Sequence, residues 1–428
     1  MFRFDRQFRA ELRENWFVLV IAFCCFLFGF AAPAFALPFI YPEVINEFGW
    51  TREQATLLAS SKYAVGAAAA IVAGRVVDVI GAWVSLIVTI SLGGLALLAF
   101  LWVDSLAANY MIGILLGCAA GGTMVSLKVL ISRAFNASQG SAMGIALIGT
   151  VVGSIILPFF VVYATEAWNW RTAIASLSAG IWLVAIPLLV LGLFSKSMAF
   201  GRRIRVSDRI KVATEDSLRH IMRERRFWII GAGVFLVGMV DQAFMQHQVL
   251  IFNDAGIPRD LIAAGVSALG VAGIVARMLV GNILDGTSNR GLAFLWATLS
   301  VSVLLAFFLI NPLIFMAFII TRAIGHSAVL LDTTVMTKHV YGPKKMGTLL
   351  GFYTALVSAG FAVGPWLMGR LYDMSDSYAS SFILFAILPL IASVLIWGIR
   401  PDYWLAQRAS SAAPREKDGN VAREGAKL

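Results

Sequence analysis

Apolar residues fall along this chain in long runs separated by short polar connections. The hydrocarbon core of a bilayer is ~30 Å thick, so a spanning helix needs ~20 apolar residues. Runs of that size lie near 16–40, 54–77, 83–103, 107–132, 140–164, 171–194, 228–252, 260–284, 291–310, 312–337, 347–371 and 379–399. They predict twelve spanning helices, and several connections are short enough to make neighbours antiparallel. The segment 196–226 is polar and basic and has no run long enough to span. It divides the chain into a six-helix unit (1–195), a linker (196–226), a second six-helix unit (227–404) and a tail (405–428) whose mixture of small and charged residues predicts disorder.

Composition agrees with an all-α membrane protein. Of the 428 residues 59% are hydrophobic and 14% charged, and the mean hydropathy is +0.82. A soluble domain of this length could not hide that much apolar surface. The formal net charge of +10 would suggest nucleic acid in a soluble protein. Here the basic residues crowd into loops: Arg3, Arg6, Arg9 and Arg13 before the first span, Lys196 to Arg226 in the linker, Lys338, Lys344 and Lys345 after the tenth span, and Arg400 to Lys427 in the tail. With twelve spans all of these fall on one side. The positive-inside rule makes that side cytoplasmic and predicts a bacterial-type inner membrane protein with both termini inside. Cys24, Cys25 and Cys118 lie in apolar runs without metal-ligand or disulfide spacing. The first apolar run is too long for a signal-peptide core. The sequon at 136–138 falls on the cytoplasmic side and is expected to be silent.

The two units repeat. "INEFGWTRE" at 45–53 aligns with "FNDAGIPRD" at 252–260, a shift of 207. The same shift maps Gly74 onto Gly281, Asp78 onto Asp285, Gly144 onto Gly351, Gly153 onto Gly360 and Pro158 onto Pro365. One offset that holds across separate loops and spans indicates a duplicated six-helix unit. Parallel repeats of this kind place a substrate site between the halves near the midplane.

"GRVVDVIGAW" at 74–83 and "GNILDGTSNRG" at 281–291 resemble the loop motif of the major facilitator superfamily, after the second and eighth spans. The resemblance covers nearly the whole chain and implies that fold: twelve helices in two pseudo-symmetric six-helix bundles. It implies that Gly74 and Gly281 permit close helix contact. It also implies that Asp78 and Asp285 lock one side in one state and release it in the other, facing the positive end of a neighbouring helix. The basic residues that usually follow the first motif are missing after Asp78. Within the superfamily the chain looks most like the monocarboxylate and oxalate/formate branch. The residues that carry this are "EFGWTREQ" at 47–54, "RAFNASQGSAMGIALIGTVVGSIILP" at 133–158, "NWRTA" at 169–173 and "ARMLVGNILD" at 276–285. In that branch an arginine of the eighth helix pairs with the substrate carboxylate, and Arg277 occupies its position. The branch's acidic residue one turn earlier is replaced by Gly273. Its basic residues of the first and eleventh helices are absent.

Ionisable residues inside spans are costly and mark functional sites by default. Arg277 lies ~12 Å of helix rise from Asp285, and a planar guanidinium binds a carboxylate through two parallel hydrogen bonds. Either Arg277 meets a substrate anion or it forms a permanent ion pair with Asp241 or Asp332. Arg322, near the middle of the tenth span, is either a second anion contact or a structural ion-pair residue. It lies ~15 Å of helix rise from Asp332, too far to pair with it directly. Lys128 on the fourth span either reaches the interface or forms an inter-half lock with Asp332. Lys62 is expected to snorkel. Asp241, Asp332 and His247 are candidate proton carriers; anion arrival at Arg277 would favour protonating a nearby acid such as Asp241. His247 and His326 could titrate near neutrality; the alternative for each is an ordinary hydrogen-bonding residue. Phe30, Phe35, Tyr63, Phe352 and Tyr353 could wall the cavity, with Tyr63 and Tyr353 as polar-tipped substrate contacts.

These readings converge on a secondary transporter of a small organic anion, expected to be a monocarboxylate. The expected mechanism is alternating access with proton symport, in a monomer embedded in lipid, with no cofactor, metal or nucleic acid. Anion exchange and the export of drugs or lipophilic compounds are the alternatives. No phosphate loop, catalytic triad or metal cluster supports an enzyme, and too little chain lies outside the membrane for a second domain.

Overall fold

The apolar runs fold as helices whose ends are set by local polar chemistry. The computed structural model describes residues 6–135, 139–194, 220–342 and 346–412. Ser105, Asn169 and Asn311 each accept a backbone N–H at a helix start, and Thr51 and Gln54 form a reciprocal capping box. Gly49 ends the first span at φ +66°, a left-handed conformation that glycine adopts without a Cβ clash.

The spans are α1 (Arg9–Phe48), α2 (Arg52–Ile80), α3 (Ala82–Trp102), α4 (Leu106–Ala134), α5 (Gln139–Ala167), α6 (Trp170–Gly192) and α7 (Arg225–Asp254). A continuous helical stretch, Arg259–Leu305, is broken only at Ser288 (φ 54°, ψ −127°), which divides it into α8 (259–287) and α9 (289–305). That backbone costs a serine of order 1–3 kcal/mol. It is held by a 2.9 Å hydrogen bond between Ser288 Oγ and His339 Nδ1, and by Asn289 Nδ2 donating to the carbonyls of Ile396 and Trp397. Then follow α10 (Pro312–Tyr341), α11 (Met346–Ser375) and α12 (Ala379–Trp397). The twelve expected spans are therefore present. Within α1, residues Cys25–Ala31 are π-helical.

A thirteenth helix, α13 (Asp402–Ala412), corrects the expectation of disorder from 405 onward. Trp404 Nε1 donates to the carbonyl of Asp285 at 3.1 Å, Arg226 pairs with Asp402 at 2.8 Å, and the Tyr403 ring covers Gly342. These contacts order the chain as far as Ala412. Residues 413–428, the linker residues 195–219, the sequon at 136–138 and Lys344 and Lys345 lie outside the described residues.

Within each half the repeat is visible in packing. A Cβ on Gly153 would sit 2.4 Å from the Cβ of Ala31, and one on Gly360 2.3 Å from the Phe235 carbonyl. The pair thus fits α5 against α1 and α11 against α7. The halves meet along α2–α11, α5–α8 and α1–α7. Their polar contacts gather toward the face opposite the linker. There the backbone N–H groups of Arg52 and Glu53 donate to Asp373 at 3.0 and 2.8 Å. The Arg52 guanidinium pairs with Asp254 at 2.7 Å and lies 3.7 Å from the centre of the Tyr372 ring. Glu53 accepts from Trp366 Nε1 at 2.8 Å and pairs with Arg370 at 3.1 Å, and Glu43 pairs with Arg259.

Toward the linker face the halves are parted. A Cβ on Gly74, Gly144, Gly281 or Gly351 would meet nothing within 4 Å. Among the described residues the close contact expected of Gly74 and Gly281 is therefore not made in this state, because no described helix of the other half reaches them. Asp78, Asp285 and Lys128 are exposed, and none of the three forms an ion pair with any described residue. The Lys128–Asp332 lock is likewise not made: Lys128 is exposed on α4, and Asp332 is fully buried on α10.

Candidate functional site

A cavity of about 60 Å³ lies between the halves. Its wall takes Phe35 from α1, Thr150 and Ser154 from α5, Gln248 from α7, Arg277 from α8, and Arg322 and His326 from α10. Its side away from the linker is sealed where Ser267 Oγ donates to the Ile155 carbonyl at 2.8 Å and Ser154 packs on Gly270.

Arg277 and Arg322 both line this cavity, but their surroundings differ. The Arg322 side chain is 6% exposed. Its Nη1 donates to Asp241 Oδ1 at 2.6 Å and its Nη2 to the Asp241 carbonyl at 2.6 Å. Asp241 is fully buried, and its two carboxylate oxygens each lie 3.0 Å from His326 Nδ1. The charge of Arg322 is thus matched inside the protein by Asp241. Arg277 has no such match. It makes no hydrogen bond or ion pair with any described residue, and its Nε is buried without a partner. Neither Asp241 nor Asp332 serves it. Gly273, one turn earlier on α8, also lines the cavity, so no side chain fills the space beside Arg277.

The other candidates lie elsewhere. Tyr63 does not line the cavity; its ring packs edge-on against Phe361 of α11 at 5.5 Å, at the α2–α11 seam. Tyr353 is a correction. It is fully buried in the linker-side core of the second half, donates to the Phe227 carbonyl at 3.2 Å and does not line this cavity. Of the five aromatic residues considered as walls, Phe35 alone is in place. His247 is held at both ring nitrogens: Nε2–H donates to the Pro365 carbonyl at 2.9 Å, and Nδ1 accepts from Tyr378 Oη at 2.8 Å. It ties α7 to α11 and to the start of α12, and it does not line the cavity. Asp332 faces away from the cavity; its Oδ1 accepts from Thr333 N at 2.5 Å and its Oδ2 is buried without a partner. Lys62 does not snorkel. It is buried against α1, its Nζ donates to the Pro33 carbonyl at 3.3 Å, and it lies 4.8 Å from the centre of the Tyr63 ring.

The sequence offers His326 either as a group that titrates near neutrality or as a hydrogen-bonding residue; its spacing of four from Arg322, which places both on one helix face, is what links it to the cavity. The Asp373 contact joins α11 to α2 across 321 residues, and no local pattern announces it.

Comparison with known proteins agrees with this architecture. Residues 18–320 match the Major Facilitator Superfamily. Human monocarboxylate transporter 12 is 22% identical over 346 residues, covering 72% of this chain and 66% of that protein, just under two thirds of its length. Monocarboxylate transporter 13 of Rattus norvegicus is 24% identical over 334 residues, covering 76% of this chain and 74% of that one. Among solved structures, a bacterial homolog of the human lysosomal transporter Spinster, in an inward-facing and unoccupied conformation, superposes with a TM-score of 0.70 at 16% identity. That match covers 92% of this chain and 97% of the other. The helices, the repeat and the family match together identify this chain as a multi-pass membrane transporter that belongs to the Major Facilitator Superfamily.

Proposed function

We propose that the chain moves a small monocarboxylate across a bacterial-type inner membrane, in symport with a proton, by alternately opening the cavity to either face. The observation that carries this reading is Arg277, a guanidinium facing the cavity with no counter-charge among the described residues. An isolated cation in a low-dielectric site draws in an anion, and the flat guanidinium matches a carboxylate through two hydrogen bonds. The narrow cavity favours a short acid. The names of the monocarboxylate transporters that the chain resembles support the same class. The basic linker and termini favour a cytoplasmic linker face. The state described would then be open toward the cytoplasm.

The test is uptake by purified protein in proteoliposomes, with a panel of labelled short acids (formate, pyruvate, lactate, 3-hydroxybutyrate). Two hydrogen bonds to charged groups, at ~1.5 kcal/mol or more each, amount to about 100-fold in affinity. Arg277→Gln is therefore expected to lower uptake of every accepted acid by about that factor, while Arg277→Lys keeps part of it. Unchanged uptake by Arg277→Gln would sink the proposal.

A further inference from the structure

Resting on the reading of the cavity as a carboxylate site, we propose that His326 carries the coupled proton, and that Asp241 makes it do so by fixing its tautomer. Asp241 is held by Arg322, so its carboxylate is an acceptor only. His326 Nδ1 stands 3.0 Å from both of its oxygens and must therefore carry the hydrogen. A neutral imidazole has one N–H. With that hydrogen fixed on Nδ1, Nε2 of neutral His326 is a bare lone pair. Nε2 has no hydrogen-bond partner among the described residues; the side chain is 25% exposed and lines the cavity.

A carboxylate entering the cavity therefore meets one of two surfaces. Beside neutral His326 its oxygens face a lone pair and are repelled. Beside protonated His326 they face a charged N–H donor. Proton and anion thus favour one another at the same place, which is the thermodynamic content of coupling.

Among the described residues the charges that share the cavity wall or an ion pair with His326 are Asp241 from α7, Arg277 from α8 and Arg322 from its own helix. Phe35 of α1 and Thr150 and Ser154 of α5 add no titratable group to the wall. With neutral His326 and an empty cavity these charges sum to +1. With protonated His326 and a bound monoanion they sum to +1 again. The empty and the fully loaded protein then cross between states with the same charge, whereas the proton-only form carries +2. Asp241 itself is a poor carrier, because protonating it would strip Arg322 of its counter-ion. Asp332 and His247 do not line the cavity.

The experiment combines transport with a direct view of the ring. In proteoliposomes, the acid that gives the largest Arg277-dependent uptake is offered with and without a pH gradient, acid outside. The wild type is expected to accumulate it at least tenfold over equilibrium. His326→Gln, whose amide donates at any pH, is expected to lose accumulation driven by the gradient and to bind with an affinity independent of pH. In parallel, wild-type protein carrying ¹⁵N-histidine is titrated with the same acid at pH 8. One of the four histidines is expected to change from an unprotonated to a protonated Nε2, with uptake of about one proton per site, and that signal is absent in His326→Gln. Gradient-driven accumulation by His326→Gln would overturn the proposal, as would acid binding to the wild type with no change at any histidine. The spectrum needs no variant and decides the matter even where His326→Gln fails to fold. If no acid shows Arg277-dependent uptake or binding, the carboxylate reading itself fails. If uptake depends on Arg277 but ignores the gradient, only the proton assignment fails.

Discussion

Asp373 offers a direct handle on which face of the transporter is closed. Its carboxylate accepts from Arg52 N at 3.0 Å and Glu53 N at 2.8 Å. These are two of the first-turn donors of α2 that the helix cannot satisfy itself. Thr51 Oγ1 takes a third, Gln54 N, so the start of α2 is fully capped only while α11 lies against it. When the halves part at this face, water replaces Asp373. Removing the carboxylate therefore penalises the closed arrangement alone. A helix cap contributes about 0.5–2 kcal/mol, and one group serving two N–H donors with a full negative charge belongs at the top of that range. Asp373→Ala is then expected to shift the open-to-closed ratio at this face by about 30-fold, since ~1.4 kcal/mol is a factor of ten. Asp373→Asn keeps one acceptor oxygen and is expected to shift it about fivefold. Spin labels at Asp104 and Ile310, exposed in loops of opposite halves on this face, report the ratio through their distance distribution. If Asp373→Ala leaves that distribution within twofold of wild type, the capping argument is refuted.

Other outcomes follow from the buried groups. Asp241→Ala strands the Arg322 guanidinium and is expected to cost about 3 kcal/mol, the low end for a broken buried pair, because Nη2 keeps its backbone carbonyl. The double variant Asp241→Ala/Arg322→Met should recover most of this in a denaturant-unfolding series, and a double variant as unstable as the single one would show that the pair is not the cause. His247→Phe removes both ring hydrogen bonds; it is expected to lower the thermal midpoint by several degrees. It should leave gradient-driven accumulation intact in the protein that survives, which a coupling role for His247 would not allow.

The architecture was legible in the sequence because a bilayer imposes one length and one polarity on every span, and because the offset of 207 kept register across loops. Arg277 stood out for a related reason: its equivalent in the first half is Ala70, so its charge belongs to one half only. Which acid meets which base was not legible. Arg322 and Asp241 lie 81 residues apart on different helices, and their pairing depends on how α7 and α10 are rotated about their axes. Hydrophobic periodicity leaves that rotation open when helices are apolar on nearly every side. The same ambiguity misplaced Tyr353, whose aromatic ring suits the linker-side core as well as a cavity. The helix α13 was hidden by composition, since its tryptophan and tyrosine are ordered by docking onto neighbouring helices rather than by an apolar run of their own.

The π-helical segment Cys25–Ala31 carries a consequence for comparing sequences. Phe28 and Phe35 are seven residues apart, which on a straight α-helix puts them on nearly the same face. Here Phe28 presses against Gly180 of α6, whereas Phe35 lines the cavity. The wider turns between them shift the register. Each residue of an α-helix advances the face by about 100°, so deleting one residue from this segment would swing Phe35 out of the wall more effectively than a substitution could remove it. An alignment drawn without a gap between this chain and a relative whose first helix is regular will match residues correctly by count while pairing positions packed against α6 with cavity-facing ones.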